Sequence, residues 1–348
     1  MSEEIVKCEE DFNKVLHLRI NGRFLEAPAQ TGVQRWANEV LFELQRISNV
    51  NIEILKPKSF FRSGIRGHIW DQFVLPMMGN RNHTLVSLAN WGPYFTFNQV
   101  LVLHDLIPIK NPTLFNKSYS LACRYLLPRI VHRIKIVSVT SVETANEVSM
   151  LLGLSDDKLK VLGAGIRFNE AITSEKDTHL LDFKYFIFLG GFNSRKNLKF
   201  LLNFWNQRSD QNVKLLVIAR SDERVTSQSV VLDFNPSVVL IEDPDDDLLF
   251  SLYKNSIALL FPSISEGFGL PLLEVMSTGK PFISNQVGVA SDLSIGDSRV
   301  LELNHEAWLS EINRLTYKPS VCDESQVFLA RQYNWKLVAD KLIEALVD

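Results

Sequence analysis

The stretch that most constrains this fold is Phe261–Glu274, with the sequence Phe-Pro-Ser-Ile-Ser-Glu-Gly-Phe-Gly-Leu-Pro-Leu-Leu-Glu. The apolar run Ile257–Phe261 before it is typical of a buried strand. Pro271 predicts the start of a helix to about Ser277, because the N–H that proline lacks has no partner in a first helical turn. A strand, a glycine loop and a helix start in this order favour a phosphate, because the loop can approach closely and its N–H groups are available.

Two glutamates lie in this stretch, and folding alone explains them less easily. Glu266 falls in the glycine loop and Glu274 about one turn into the helix, so both could face one cleft. Carboxylates accept hydrogen bonds, which suits the hydroxyls of a ribose or a hexose. The spacing also fits a simple connection with one solvated glutamate and one stabilised by the helix dipole.

This stretch resembles the signature of the retaining glycosyltransferases of family 4 (GT4), with seven residues between the two glutamates and Gly-Phe-Gly-Leu-Pro among them. The resemblance implies the α/β GT-B fold, in which two Rossmann-like domains with parallel sheets face each other across a donor cleft. It also implies that Glu266 contacts the donor sugar and Glu274 the ribose. The diphosphate would then meet the loop amides of Gly267, Phe268, Gly269 and Leu270.

Length, charge, cysteine content and apolar runs narrow the class of protein and its cellular location. A chain of 348 residues predicts two domains, and a net charge of −3 argues against a dedicated nucleic-acid binder. Cys8, Cys123 and Cys322 are odd in number and widely spaced, which indicates a reducing compartment and no metal-ligand pattern. The acidic N-terminus lacks a signal-peptide core, and no apolar run is long enough to span a bilayer. We therefore expect a cytoplasmic protein that at most rests on the inner face of the plasma membrane.

The domain division follows from one polar segment and from the resemblance. Ala171–Leu181 is the best linker candidate. We expect an acceptor-side domain over residues 1–172 and a nucleotide-sugar-binding domain over residues 183–330. In the family the last helix, here 331–348, packs back on the first domain.

In the first half, the sequence predicts strands at Val15–Ile20, Asn51–Leu55, Thr84–Leu88 and Val100–Leu103, and a helix over about Gln34–Ile47. Gly32 lies just before this helix, and a lone glycine in such a loop is most often only a turn. The resemblance implies that Gly32 lies beside the donor phosphates. The residues Asn21-Gly-Arg-Phe and Thr31-Gly-Val-Gln-Arg-Trp36 are similar to a subgroup of bacterial capsule and O-antigen synthesis, related to mannosyltransferases.

His104 and Asp105 directly follow the predicted strand Val100–Leu103. Ligand-binding residues gather at the carboxyl ends of parallel strands, so this pair could belong to a site. It could equally be an edge histidine with satisfied hydrogen bonds beside a helix-capping aspartate. The resemblance implies that His104 bonds the donor sugar, with Asp105 as its orienting neighbour.

In the second half, a predicted strand at Tyr185–Leu189 and a helix from about Leu198 to Asn206 enclose Arg195 and Lys196. Two cations between a strand and a helix can face inward toward an anion, or they can face outward toward water. They resemble the Arg-Lys-Asn motif that neutralises the leaving diphosphate in the family. Many relatives also place an arginine six residues before the lysine, where this chain has Gly190, so Arg195 would take over that duty.

The acidic run at residues 242–247 allows two interpretations. An Asp-x-Asp match could be the metal site of the other glycosyltransferase fold, GT-A, or these acids could cap the helix that follows. The resemblance implies a metal-independent enzyme without a cofactor, and therefore no metal ligands.

Residues 106–142 contain no acidic residue, and their cations alternate with aromatic and aliphatic side chains. The basic residues of segment 110–135 are Lys110, Lys117, Arg124, Arg129, Arg133 and Lys135. Such a face suits an anionic membrane or a lipid diphosphate, or it is an ordinary surface helix. Pro128 predicts a break or kink in the helical part.

Together with these patterns, the resemblance implies a retaining hexosyltransferase of bacterial surface-polysaccharide synthesis, with a nucleotide-sugar donor. GDP-mannose is the favoured donor, and the acceptor would be a glycan or a lipid-diphosphate-linked chain, with no nucleic acid involved. Two other classes stay open. One is a GT-B sugar-nucleotide epimerase or phosphorylase, and the other is a non-catalytic partner subunit of another transferase.

Overall fold

The computed structural model describes residues 15–27, 31–62, 64–166, 181–190, 192–219, 236–320 and 322–347. Cys8 and all of the predicted linker except Leu181 lie outside these ranges. The strands are β1 (Leu16–Asn21), β2 (Val50–Leu55), β3 (Thr84–Ser87), β4 (Gln99–Leu103), β5 (Ile136–Val139), β6 (Leu159–Val161), β7 (Tyr185–Leu189), β8 (Lys214–Ala219), β9 (Val238–Glu242), β10 (Leu259–Phe261), β11 (Phe282–Ser284) and β12 (Arg299–Val300). The helices are α1 (Gly32–Leu44), α2 (Gly64–Ile69), α3 (Ile107–Lys110), α4 (Lys117–Arg133), α5 (Val142–Leu152), α6 (Leu198–Trp205), α7 (Asp246–Asn255), α8 (Leu270–Met276), α9 (His305–Tyr317), α10 (Glu324–Arg331) and α11 (Trp335–Val347).

The chain divides into two compact units. The first is Met1–Ala164 together with Trp335–Asp348, and the second is Gly165–Asn334. Within the described residues, each unit carries one six-stranded sheet in which all pairings are parallel. The predicted α/β class with two Rossmann-like units is confirmed.

The first unit has the strand order β2-β1-β3-β4-β5-β6. Its central strand β4 is buried along its whole length, as expected for a parallel strand covered by helices on both faces. Leu101 packs in one core with Leu127 and Ile130 of α4. The order changes direction between β1 and β3, so ligands are expected at the carboxyl ends of these strands.

The second unit has the order β12-β11-β10-β7-β8-β9, which is the Rossmann order 3-2-1-4-5-6 read from the other edge. Phe186, Phe204 and Trp308 are fully buried in its core. The order changes direction between β7 and β10. The loops that follow these two strands are therefore brought side by side at one edge of the sheet.

Two helices differ in part from the expectation: the bounds of α1 are shifted, and α4 has no break at Pro128. Helix α1 begins at Gly32 and ends at Leu44, earlier than the predicted Gln34–Ile47. Its start is fixed by Thr31, whose backbone N–H donates to Gln34 Oε1 at 3.2 Å, as in a capping box. Helix α4 runs without a break from Lys117 to Arg133 with Pro128 inside it. Arg124, whose carbonyl the missing N–H leaves unbonded, is exposed, so water can satisfy that carbonyl.

Candidate active site

Three charged side chains meet in the second unit. Arg195 Nη1 donates to Glu266 Oε2 at 2.9 Å, and Lys196 Nζ donates to Glu266 Oε1 at 2.7 Å. The side chains of Arg195, Lys196 and Glu266 are 24%, 13% and 8% exposed, so one carboxylate is shared by two cations in a largely buried place. Among these three groups positive charge exceeds negative, which suits an anionic ligand.

The Rossmann order explains why these residues meet. The two cations follow β7 and Glu266 follows β10, the strands on either side of the change in direction. Two hydrogen bonds to backbone carbonyls join the two loops: Ile264 N donates to Arg195 O at 2.8 Å, and Asn197 Nδ2 donates to Pro262 O at 3.2 Å. The cations are therefore held by the fold as well as by Glu266.

Gly190 makes room for Lys196. Its φ is +134°, and a Cβ atom at this position would lie 2.3 Å from Lys196 Cγ. Any side chain at position 190 would displace the lysine stem, whose Nζ lies 4.9 Å from the centre of the Phe261 ring. The departure from the family pattern at position 190 thus has a steric reason. Arg195 instead donates hydrogen bonds to Glu266 and, from Nη1 at 3.0 Å, to the carbonyl oxygen of Ser265.

The ionisation of Glu266 follows from its neighbours. Burial alone would raise the pKa of this carboxyl, but the charges of Arg195 and Lys196 outweigh burial and lower the pKa to about 2. Glu266 is therefore an anion at neutral pH. A carboxylate has about four lone-pair sites, so its oxygens can accept hydroxyl groups besides the two cations.

The glycine loop after Glu266 is braced by a second loop. Gly269 has a φ of +96° and precedes α8 as its cap. The carbonyl of Phe268 accepts a hydrogen bond from Val289 N at 2.9 Å. A Cβ at Gly288 would lie 2.2 Å from that same carbonyl, so the close approach of the two loops requires glycine there. Gly267 and Leu270 complete the loop, with Leu270 as the first residue of α8.

Glu274 belongs to the same unit but has a different environment. Its side chain is buried in α8, and Oε2 accepts a hydrogen bond from the hydroxyl of Tyr253 at 3.2 Å. Tyr253 lies on α7 and is fully buried. The two signature glutamates therefore differ: Glu266 is bonded by cations and Glu274 by a phenol.

His104 lies at the carboxyl end of β4 in the first unit and is buried. Its ring Nε2 is 2.7 Å from the carbonyl of Leu88, and its backbone N–H donates to Asn90 Oδ1 at 2.6 Å. Because a carbonyl only accepts, Nε2 carries the proton and Nδ1 is the acceptor. Burial lowers the pKa of His104 to about 4, although the bond to Leu88 acts in the opposite direction. The ring is therefore neutral near pH 7.

Gly32 is the exposed first residue of α1. Trp36, one turn further along this helix, packs edge-on against His104 with ring centres 5.0 Å apart. The indole N–H of Trp36 donates to Gly163 O at 2.9 Å. Helix α1 thus connects Gly32 with His104 inside the first unit.

The acidic residues outside this site have local roles. Asp105 Oδ1 accepts from Ile107 N at 3.1 Å at the start of α3. Asp245 Oδ1 accepts from Leu248 N at 2.8 Å and caps α7, as the capping interpretation of residues 242–247 predicts. Within the described ranges, no three His, Cys, Asp or Glu side chains are grouped so that they could hold a metal ion.

Sequence reasoning missed the residues that support the site. Asn90, which holds His104, has a φ of +62°, and a turn-forming asparagine after a predicted strand is a detectable signal. Gly288 gave no clear signal, because a lone glycine after an apolar strand is most often only a turn. Tyr253 gave no signal, because a tyrosine on an amphipathic helix is usually a core residue.

Over the part of the chain that the structure describes, no helix is both long and apolar enough to cross a membrane.

Comparison with known sequences places these observations in a family. Residues 183–317, which include Arg195, Lys196 and both glutamates, match the profile of the family described as Glycosyl transferases group 1. The O-antigen chain mannosyltransferase RfbU of Salmonella typhimurium is 26% identical over 262 residues, covering 74% of this chain and 71% of the relative. The serotype-specific mannosyltransferase WbdA of Escherichia coli is 25% identical over 259 residues, covering 69% of this chain and 29% of that protein.

Solved structures share the fold at low identity. Sucrose-phosphate synthase of Thermosynechococcus elongatus has a TM-score of 0.74 at 14% identity, covering 95% of this chain and 98% of that chain. HepE of Anabaena, solved with UDP and glucose, has a TM-score of 0.64 at 13% identity, covering 96% and 99%. The chain therefore has the GT-B fold, and residues 183–317 of its second unit match a glycosyltransferase group 1 domain.

Proposed function

We propose that this chain is a retaining GT4 hexosyltransferase of bacterial surface-polysaccharide synthesis, which takes a sugar from a nucleotide-sugar donor. The observation that carries the proposal is the pair of cations, Arg195 and Lys196, held at the switch point of a Rossmann sheet by Glu266. A mannosyl donor such as GDP-mannose is supported by the names of the relatives RfbU and WbdA.

In the proposed reaction the nucleoside diphosphate leaves from the sugar and negative charge develops on it. Arg195 and Lys196 stabilise that charge, and they are already in place before the donor arrives, so little reorganisation is needed. Glu266 holds the two cations and accepts hydrogen bonds from hydroxyls of the transferred sugar. The amides of residues 267–270 bind the diphosphate and Glu274 binds the ribose.

The anomeric configuration of the sugar is retained if the acceptor attacks the same face of the sugar from which the diphosphate departs. The bond from the anomeric carbon to the phosphate oxygen breaks, and the bond from that carbon to the acceptor oxygen forms. The acceptor's proton passes to the leaving phosphate, so no protein nucleophile takes part. His104 contributes its neutral Nδ1 as an acceptor for a donor hydroxyl, and Gly32 lets the backbone of α1 approach the phosphates.

A thermal-shift panel of nucleotide sugars tests this proposal. A ligand that binds only the native state raises the unfolding temperature, so GDP-mannose should do so and Lys196→Ala should reduce the shift. Exposed Lys199→Ala on α6 is the matched control. NMR of the product then gives its anomeric configuration. If no nucleotide sugar stabilises the protein, or if the product is inverted, the proposal is wrong.

We also propose an electrostatic contact of segment 110–135 with an anionic membrane that carries the acceptor. Arg124 and Arg129 are exposed on α4. Arg133 stacks on Tyr94 at 4.5 Å and Lys110 pairs with Glu147, so these two cations also have structural contacts. Charge reversal of Arg124 and Arg129 together should weaken binding to anionic vesicles and leave donor binding unchanged. Adding Arg133→Glu extends the test, with protein folding checked by its thermal unfolding.

A further inference from the structure

A stripe of large apolar side chains lies exposed on one helical segment of the first unit. The segment consists of α2, a π-helical turn at Trp70–Val74 and a 3₁₀ turn at Leu75–Met77. The stripe residues and their exposed fractions are Ile65 (74%), Ile69 (44%), Phe73 (61%) and Met77 (70%). They recur every four residues. In an α-helix this spacing drifts around the axis by about 40° per step, and the wider π turn at Trp70–Val74 reduces that drift between Ile69 and Phe73.

The opposite face of this segment is firmly packed. Trp70 and Leu75 are buried in a core with Leu55 and Leu85. Asp71 is fully buried, and it forms an ion pair with Arg23. The segment is therefore anchored in the first unit on one side, and its apolar stripe faces solvent because of that anchoring.

The segment that carries the stripe lies in a basic stretch of the sequence, in which Arg62 is paired with Glu26 at 3.0 Å and Lys110 with Glu147. Residues 54–142 contain eleven lysines and arginines and two aspartates, although the whole chain has 37 basic and 40 acidic residues. Asp71 is buried, and the half-buried Asp105 accepts a hydrogen bond from Ile107 N, so neither aspartate presents an exposed charge. Arg66 lies directly beside the stripe, with its guanidinium 4.4 Å from the ring centre of the 60%-exposed Phe60.

We propose that the stripe of Ile65, Ile69, Phe73 and Met77 inserts into the interface of an anionic lipid bilayer. An apolar helix face bordered by cations is the pattern of a segment that lies in the plane of a membrane surface, with its apolar side among the acyl chains. This contact is apolar, unlike the electrostatic contact proposed for segment 110–135. It is also independent of the proposed activity, because binding to vesicles requires neither donor nor acceptor.

A second copy of the chain is a poorer occupant for this surface. In a two-fold dimer the same patch faces itself, so the cations around the stripe would lie opposite one another. A bilayer with anionic headgroups supplies both the apolar phase and the opposite charge. The charge pattern therefore selects the membrane over self-association.

The first test is flotation of the full chain with vesicles, in the absence of substrates. Phosphatidylcholine vesicles containing phosphatidylglycerol should bind the wild type, and pure phosphatidylcholine should bind it less. The double variant Ile69→Ser, Phe73→Ser should lose about tenfold or more in affinity. Phe328→Ser, which removes a 68%-exposed phenylalanine from the second unit, is the matched control and should bind like the wild type.

The second test measures insertion and does not depend on how well the double variant folds. Lipids with brominated acyl chains quench a tryptophan that enters the bilayer. Phe73→Trp should gain fluorescence that such vesicles quench, whereas Phe328→Trp should gain fluorescence that they do not quench. Equal quenching in the two variants overturns the proposal. So does wild-type vesicle binding by the double variant, or a concentration-dependent dimer that this variant abolishes while vesicles stay unbound.

Discussion

Glu266 in the second unit and His104 in the first are both buried ionisable residues, yet the surroundings of Glu266 favour its charged form and those of His104 favour its neutral form. Burial disfavours the charged form of each. Arg195 and Lys196 outweigh burial at Glu266 and lower its pKa to about 2, so the carboxylate stays charged. At His104 burial dominates and the pKa falls to about 4, so the ring stays neutral. The comparison indicates that the surroundings of Glu266 in the second unit stabilise a charged side chain. Those of His104 in the first unit stabilise a neutral ring that can donate and accept hydrogen bonds.

The largest expected effect comes from removing charge in the second unit. Glu266→Gln and Lys196→Ala should each lower kcat/KM by at least about 100-fold, the scale for one electrostatic contact in a preorganised site. Steady-state kinetics with the donor found by thermal shift measure this loss. Exposed Glu302→Gln and Lys199→Ala are the matched controls and should stay near the wild type. Near-wild-type turnover in a folded Glu266 or Lys196 variant would remove that residue from the mechanism.

A smaller effect is expected at Gly190, where no charge changes. Gly190→Ala places a Cβ against Lys196 Cγ in a backbone conformation that alanine rarely adopts. We expect a loss of about 1–3 kcal/mol in the free energy of unfolding, together with a clear fall in kcat/KM as Lys196 is displaced. Denaturant unfolding and kinetics check the two effects.

A double-mutant cycle separates strain from displacement. In a Lys196→Ala background the steric part of the Gly190→Ala penalty should shrink, because the lysine stem beyond Cβ is gone. If the penalty is the same in both backgrounds, Gly190 does not position Lys196, and the steric explanation for its place in the sequence is lost.

The second unit was the more predictable from sequence, and the reason is physical. Its site residues fall in short loops directly after apolar strands, so Arg195, Lys196 and Glu266 could be identified without knowing the fold. What the sequence could not give was the strand order, which brings these loops together, or the reason for Gly190. The meeting of the loops depends on contacts between residues about 70 positions apart. The need for glycine at position 190 depends on where the side chain of Lys196 lies, which the sequence does not specify.

The first unit was harder for the same reason. The bounds of β1 to β4 were predicted to within one residue, because buried parallel strands form continuous apolar runs, whereas the short strand β6 was not predicted. The partners of His104 were not predicted. A backbone carbonyl at Leu88, the amide of Asn90 and the ring of Trp36 leave no pattern around residue 104. The exposed stripe at residues 65–77 was missed because a four-residue apolar period normally predicts a buried face.

The contrast between the two units also predicts a dependence of stability on pH. Because the pKa of His104 is lower in the folded than in the unfolded state, the unfolded chain binds more protons between about pH 4 and 6.5. This residue should therefore cost about 2 kcal/mol of stability as pH falls from 7 to 5. His104→Gln should flatten that part of the curve. Burial also lowers the pKa of His68 to about 4, which adds to the slope, and raises the pKa of Asp71 to about 6, which opposes it, so these two groups partly offset each other.

Denaturant unfolding at several pH values measures this slope. Glu266 makes no comparable contribution over the same range. Its folded pKa of about 2 lies below the unfolded value, so its stabilisation is complete above the unfolded pKa and is lost only in stronger acid. If His104→Gln leaves the slope between pH 7 and 5 unchanged, the neutral, buried character of His104 is wrong and the contrast between the two units fails.

The last prediction is that chelation of metal ions by EDTA has no effect on turnover. In the proposed reaction the side chains of Arg195 and Lys196 would supply the positive charge that a divalent cation supplies to the diphosphate in metal-dependent transferases. Asp245, which an alternative interpretation would assign to a metal, uses its carboxylate to cap α7. Turnover measured with EDTA, and then with added Mn²⁺ or Mg²⁺, should be the same. If chelation abolishes turnover and a metal restores it, two protein cations are not sufficient, and Asp243–Asp247 becomes the place to search for the metal ligands.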